Sequence, residues 1–282
     1  MNSPQRPVLR YHGGKWKLAP WVIGFFPPHR VYVEPFGGGG GSVLMRKARA
    51  RTEIYNDLDG VVVEVFRVLR DEHEAAELAR RLELTPFARD DYETWCYTPA
   101  TDRVDLVHKV IARSFMGQSS KGVWQRSGFD TRINDDGYCS RVNALLAAPE
   151  TVRQYAARLR GVVIENDDAK TIIGRNDSAD TLFYIDPPYV EGTRNTSIYR
   201  HDMTDADHCA LAEVLRSVCG MVVLSGYPCD LYDRELYHDW ERHERAHMAD
   251  GARPRTEVVW LNPACAARCG QADMFTAKGH RC

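Results

Sequence analysis

Five consecutive glycines, Gly37 to Gly41, follow the apolar run Val31-Tyr32-Val33-Glu34-Pro35-Phe36 and precede the helical segment Val43-Leu44-Met45-Arg46-Lys47-Ala48. Glycine weakens the interior of a helix or strand but allows positive φ and close backbone approach, so the run must be a tight turn. The apolar run ahead of it reads as a buried strand. Ser42 is placed to cap the helix behind it. A second strand, Glu53-Ile54-Tyr55-Asn56, stops at Asp57, and a helix from about 59 to 70 follows. In that helix Val62, Val65, Phe66 and Leu69 recur at helical spacing. Strand, glycine turn, helix, strand is a βαβ unit, and such units imply a parallel sheet with helices on its faces.

A glycine turn that opens a helix lets backbone approach a ligand closely, and the helix N-terminus favours anions. An acid about 20 residues beyond the glycines, at the tip of the second strand, commonly holds ribose hydroxyls. Asp57 occupies that place. These residues predict nucleoside binding, with the nucleoside belonging to NAD, FAD or S-adenosylmethionine.

From about 71 to 160 the pattern changes. Helical periodicity appears near 73–83, 87–96, 103–117 and 149–160, interrupted by the polar loop 118–128. The segment reads as a mostly helical insertion. Strand patterns resume at Val162–Glu165 and Thr181–Ile185. A long loop, a helix near 205–217, the strand Met221–Ser225 and a last strand Thr256–Leu261 complete the chain. Domain boundaries follow: residues 1–70 and 161–282 form an α/β catalytic domain, and 71–160 the insertion.

The run Thr181–Ile185 ends at Asp186-Pro187-Pro188-Tyr189. Proline cannot donate to a ladder, so the strand stops there. One strand tip thereby presents a carboxylate, stiff carbonyl-bearing residues and an aromatic face. That set suits a planar heterocycle with an exocyclic amine, whose hydrogens the aspartate and a proline carbonyl accept while the tyrosine stacks on the ring. The competing reading is an ordinary Asp-Pro turn.

Together these motifs resemble a known family. Val33 to Ser42 is similar to the Phe-x-Gly-x-Gly motif of amino-group DNA methyltransferases, with one extra residue before Ser42, and Asp186–Tyr189 is similar to their catalytic motif. Arg10-Tyr11-His12-Gly13-Gly14-Lys15 resembles the N-terminal motif of Dam-type DNA adenine methyltransferases of phages and prophages. Asn56–Asp59 and Arg255–Asn262 resemble further segments of such enzymes. The resemblance implies a Rossmann-like S-adenosylmethionine-dependent methyltransferase sheet that transfers methyl to N6 of adenine in duplex DNA. It implies catalytic roles for Asp186, Pro187, Pro188 and Tyr189. Cofactor contacts are implied for Tyr11, Gly14, Lys15, Glu34, Phe36, Gly38, Gly40, Asp57, Asp186 and Asp168, with Asp167 as the alternative to Asp168. A base inside a duplex is out of reach, so it must be flipped out, and Tyr189 offers it a stacking face.

Target recognition falls to the insertion. Lys121 and Arg126 flank Trp124 in a glycine-bounded loop suited to a hairpin lying in a DNA groove, and Arg132 and Arg141 are candidate phosphate contacts. The competing reading is a solvated loop. A formal net charge of −2 does not announce a nucleic-acid binder, but residues 1–33 carry five cations and no acid. A local patch is enough to neutralise phosphates.

The chemistry requires no metal. Cys265, Cys269, His280 and Cys282 leave a tail zinc site open, although the spacing is not that of a standard finger. No apolar run is long enough to span a membrane, and the first residues lack a signal-peptide core, which predicts a cytoplasmic protein. No obligatory protein partner is inferred. Rival readings are cytosine N4 transfer, a silent DNA-binding homologue, and a nicotinamide oxidoreductase in which Pro187-Pro188-Tyr189 has no role.

Overall fold

The computed structural model describes residues 4–119, 127–133, 139–190, 202–249 and 253–278. Its strands are β1 (Val31–Glu34), β2 (Thr52–Asn56), β3 (Val162–Glu165), β4 (Thr181–Ile185), β5 (Met221–Gly226), β6 (Glu241–Ala249) and β7 (Arg253–Leu261). They form one sheet in the order β3-β2-β1-β4-β5-β7-β6. β2, β1, β4 and β5 are parallel, with Val33 opposite both Ile54 and Phe183, and Ile185 opposite Leu224. β7 runs antiparallel to β5, and β6 antiparallel to β7 over all nine residues. This is a doubly wound α/β sheet whose order reverses between β1 and β4, as a Rossmann-like fold requires.

The chain divides into two compact units. The sheet unit comprises residues 20–37, 48–58 and 165–282; the helical unit comprises 1–19, 38–47 and 59–164. The division does not fall at 70/71 and 160/161. The N-terminal segment, the glycine run and α3 (Gly60–Arg70) group with the insertion. The reason is visible in α3, where Val62, Val63, Val65, Phe66, Val68 and Leu69 are all buried. A helix apolar on so many sides needs helical neighbours, and it packs on α4 (Glu72–Glu83), α6 (Arg103–Met116) and α8 (Ala148–Leu159).

In the sheet unit successive side chains of the central strands bury on opposite faces. Val33, Phe183, Ile185, Val222 and Leu224 meet α9 (Ala169–Arg175) and α10 (Asp205–Ser217) through Ile172, Ile173, Leu211 and Leu215. On the other face Tyr32 and Tyr184 pack against Phe26. Burial on both faces explains the near-continuous apolar runs. β6 was not anticipated. Its residues 241–246 are mostly exposed Glu, Arg and His, so it carries no apolar alternation and exists through its pairing with β7. α7 (Ser140–Leu146) and α11 (Pro263–Lys278) also carry little pattern.

In the helical unit, α8 fixes the glycine run: the Tyr155 hydroxyl donates to the Gly40 carbonyl at 3.0 Å and Arg158 donates to the Leu44 carbonyl at 2.7 Å. Ser42 does not cap the helix that it opens. Gly41, at φ 47°, holds the cap position of α2 (Ser42–Arg46), and this left-handed turn places Ser42 inside the first turn.

The loop after α6 has a hairpin base. Gly117 bridges Phe129 antiparallel, Gln118 N donates to Gly128 O at 2.9 Å, and Asp130 N donates to Met116 O at 2.7 Å. Arg10 Nη1 donates to the carbonyls of Gly117 and Gln118, both at 3.1 Å. Lys121, Trp124 and Arg126 lie outside the described residues. Arg132 and Arg141 both hold Asp130, at 2.8 and 3.2 Å. That gives the two arginines a structural task in place of a purely solvent-facing one, because a buried carboxylate must be paired.

The Arg132 hydrogen bonds hold the Asp130 carboxyl well below the usual aspartate range, opposed by burial and aided by Arg141. A depressed folded-state value means the stabilisation is present above the unfolded pKa of about 3.9 and is lost as pH falls from there toward the folded value. Acid unfolding followed by circular dichroism is therefore expected to show an Asp130-dependent loss of stability below about pH 4, and Asp130→Asn is expected to be less stable at neutral pH with a flatter acid limb.

Candidate functional site

The carboxyl ends of β2, β1, β4 and β5 lie on one edge of the sheet unit. Because Val33 pairs with Phe183, the segment Glu34–Gly37 leaves the sheet beside Tyr184–Pro187. Open α/β sheets bind ligands at such an edge, where the strand order reverses. Sequence-predicted Glu34, Phe36, Asp57, Asp168, Asp186, Pro187, Pro188 and Tyr189 all belong to this unit. Tyr11, Gly14, Lys15, Gly38 and Gly40 belong to the helical unit and group with one another there.

Glu34 is a buried carboxylate at the tip of β1. Tyr32, two residues earlier on the same face, donates its hydroxyl to Glu34 Oε2 at 2.7 Å. Burial, then the Glu34 charge, pushes the Tyr32 phenol up. Gly37 follows under the ring of Tyr55: a Cβ there would stand 2.0 Å from Cε2. Only glycine lets the chain turn at this point, and Gly37 N donates to Asn56 O at 2.9 Å.

Asn56, to which sequence reasoning gave a family-like segment but no role, ties three strand exits together. It is fully buried. Its Nδ2 donates to Pro35 O at 2.9 Å and to Asp167 O at 3.0 Å, and its Oδ1 accepts from Asp167 N at 2.9 Å. Asn166 Nδ2 donates to Asp57 O at 2.8 Å and Leu58 O at 3.1 Å. Asp57 and the segment 166–168 are thus stitched to each other and to the end of β1. Asp168 caps α9, accepting from Lys170 N at 2.9 Å and Thr171 N at 3.3 Å. Asp167 pairs with Arg175 at 2.9 Å.

Asp186 stands where β4 leaves the sheet. Ser225 of β5 donates to its Oδ1 at 3.1 Å. The Tyr184 hydroxyl lies 3.0 Å from the same serine. With the serine proton committed to the carboxylate, Tyr184 donates to Ser225 Oγ, so a buried relay aims the aspartate. Burial, then the Asp186 charge, pushes the Tyr184 phenol up. Tyr189 donates its hydroxyl to Glu257 Oε1 of β7 at 2.6 Å, and its ring meets Tyr227 edge-on at 4.5 Å between centroids. Burial, then the charges of Glu257 and Asp186, pushes the Tyr189 phenol up. Neither Ser225 nor Glu257, which lies in the family-like segment Arg255–Asn262, was assigned a role from sequence, because strand pairing brings them to the site from far along the chain.

In the helical unit Gly13 makes a turn at φ 76°. Lys15 is buried, and its Nζ donates to Gly13 O at 3.2 Å. Gly38 takes φ 59° beside the Tyr11 ring, and a Cβ on Gly39 would stand 2.4 Å from that ring. The N-terminal motif therefore packs directly on the glycine run.

Among the described residues no group of three or more His, Cys, Asp or Glu side chains could hold a metal ion. Cys265 and Cys269, one turn apart on α11, both direct their thiols at the Phe25 carbonyl, at 3.8 and 3.4 Å; His280 and Cys282 lie outside the described residues. No described helix is long and apolar enough to cross a membrane.

Replacing Asn56 by Ala leaves three backbone groups, Pro35 O after β1 and Asp167 O and N after β3, without their partner. Urea unfolding is expected to show a loss of about 2–3 kcal/mol, and Asn56→Asp, which cannot donate from both sides, is expected to lose a similar amount.

Comparison with known proteins adds to this geometry. Residues 11–250 match the family described as D12 class N6 adenine-specific DNA methyltransferase. The chain is 23% identical over 246 residues to the DNA N-6-adenine-methyltransferase of Escherichia phage P1, an alignment that spans 83% of this chain and 31% of the phage protein. The chain thus covers less than a third of that relative's length. A crystal structure of SMU.1697c from Streptococcus mutans, in complex with SAH, aligns with a TM-score of 0.38 at 9% identity, over 91% of this chain and 98% of that one.

Proposed function

The chain belongs to the D12 class N6 adenine-specific DNA methyltransferase family, and we propose that it transfers a methyl group from S-adenosylmethionine to N6 of an adenine flipped out of duplex DNA. The observation that carries the reading is the parallel pairing of β1 with β4, which sets the Glu34–Gly37 exit beside Asp186–Tyr189 on one sheet edge.

The donor set fits the cofactor. Asp57, at the tip of β2, is suited to ribose hydroxyls, and Glu34 and Phe36 to the turn that follows β1. Asp168 is suited to the adenine amine of the cofactor with the face of its carboxylate away from its helix cap. The family motif assigns Tyr11, Gly14, Lys15, Gly38 and Gly40 to the cofactor on sequence grounds. When bound, S-adenosylmethionine supplies an electrophilic methyl group on a sulfonium, so no covalent enzyme intermediate is required.

The lone pair of adenine N6 is delocalised into the ring and is a poor nucleophile. Asp186 and the Pro187 carbonyl accept the two amine hydrogens, which favours a pyramidal nitrogen and aims its lone pair. Pro188 stiffens the turn, and Tyr189 stacks on the extruded ring. Ser225 and Tyr184 fix the carboxylate before substrate arrives, which is the kind of preorganisation that lowers a barrier. Lys121, Trp124 and Arg126, in the sequence between Gly117 and Phe129, are assigned to target reading on sequence grounds. Arg132 and Arg141 support the base of that loop through Asp130 and direct remaining charge to phosphate.

The test is incubation of the purified chain with labelled S-adenosylmethionine and mixed-sequence duplex DNA, followed by nucleoside analysis. N6-methyl-2′-deoxyadenosine is the expected product; N4-methyl-2′-deoxycytidine or no label rejects the reading. Asp186→Ala is expected to lower transfer by about a hundred- to a thousandfold or more with the fold kept. Ser225→Ala is expected to lower it by about tenfold, since it removes only the group that aims the carboxylate.

A further inference from the structure

Glu257 is a charged residue only 1% exposed on an interior strand, and the transfer chemistry assigns it nothing. An ionised carboxylate is not retained in such a place without a partner. Its carboxylate accepts a 2.6 Å bond from the Tyr189 hydroxyl, which joins β7 to the turn after β4. Register explains why the two meet. β5 pairs with β7 as far as Gly226 and Val258, so Tyr227, which follows Gly226, and Glu257, which precedes Val258, lie at the same end of that ladder. Tyr189 then lies against both: its hydroxyl on the carboxylate, its ring edge-on to Tyr227. Arg255, on the same face of β7 as Glu257, covers the Tyr227 ring at 5.4 Å.

We propose that Glu257 is a positioning residue that locks Tyr189 as a preformed stacking face for the extruded base, with Tyr227 as its backstop. The inference rests on the adenine-transfer reading above and assigns to it a residue outside the catalytic tetrapeptide. A tyrosine in a turn has two rotatable side-chain bonds. A short, charge-assisted hydrogen bond to a strand-borne acceptor removes that freedom before substrate arrives, so the ordering is not left to the binding step. Glu257 touches neither the amine nor the methyl donor. Its effect passes through the orientation of one ring.

Three variants and one double variant test this, each assayed for methyl transfer, for S-adenosylhomocysteine binding by calorimetry, and for fluorescence of 2-aminopurine placed at the target position. Tyr189→Phe keeps the ring and loses the hydroxyl; Glu257→Ala loses the acceptor; Glu257→Gln keeps an acceptor without charge. Tyr189→Phe and Glu257→Ala are each expected to lower kcat by about tenfold with S-adenosylhomocysteine affinity unchanged, and to reduce the quenching that stacking imposes on the extruded probe. Glu257→Gln is expected to fall between wild type and Glu257→Ala. The double variant Tyr189→Phe/Glu257→Ala is expected to be no worse than the poorer single one, because both remove the same bond.

Wild-type kcat and fluorescence in Tyr189→Phe and Glu257→Gln overturn the proposal. So do losses that multiply in the double variant, or a matching loss of S-adenosylhomocysteine affinity in Glu257→Ala, which would assign the residue to the fold. In each case wild-type transfer still stands. A wild-type protein that labels no adenine overturns the transfer reading and this inference together.

Discussion

Parallel hydrogen bonding between β1 and β4 is the constraint on which the rest depends. Parallel neighbours need long crossovers, so two strands about 150 residues apart in sequence can be adjacent only because the intervening chain leaves the sheet and returns. Once Val33 is set against Phe183, the turn after each strand has its address. A slip of one residue would flip every side chain of β4 to the opposite face and exchange Tyr184 with Phe183 and Ile185. The apolar faces forbid that exchange, since Phe183 and Ile185 are buried against α9 and α10 while Tyr184 meets Phe26. Packing of the core thereby places the polar edge.

That edge is rich in polar atoms paired with one another across strand ends and turns. Tyr32 serves Glu34, Ser225 serves Asp186 with Tyr184 behind it, and Tyr189 serves Glu257. Three phenols bonded directly or through a serine to three carboxylates make a rigid set, because tyrosine loses little conformational freedom on burial and strands move little. Asn56 adds a backbone clamp that couples the exits of β1 and β2 to the start of α9. The cost of a buried carboxylate is offset only when such bonds are complete, so the arrangement leaves few partial solutions.

How much of this was legible in the sequence follows from how local each signal is. The turn at Gly37–Gly41 and the stop at Pro187-Pro188 interrupt apolar runs, so β1, β4 and the turns after them could be read directly, as could α3, α10 and the strand at β3. Asp59, Asp71 and Thr204 announce helix starts by side chains that accept from backbone two or three residues on. The roles of Asn56, Ser225 and Glu257 could not be read. Each is a polar residue of a strand, and its partner is set by contacts between distant segments. Asp168, which the resemblance assigns to the cofactor, also caps α9 with its side chain. The compact units could not be read from α3 alone: its apolar residues were visible, but the helices they pack on were not.

The polar outer strand β6 has a further consequence. It is bonded along its length on one side to β7, while its other side meets no strand among the described residues, and Glu241, Arg242, Glu244 and Arg245 project from it into solvent. An open row of amide and carbonyl groups invites a second chain to add on. Here any incoming strand would have to bury a dense row of charges of both signs, so this border of the sheet resists sticking to copies of itself even at the concentrations reached during synthesis.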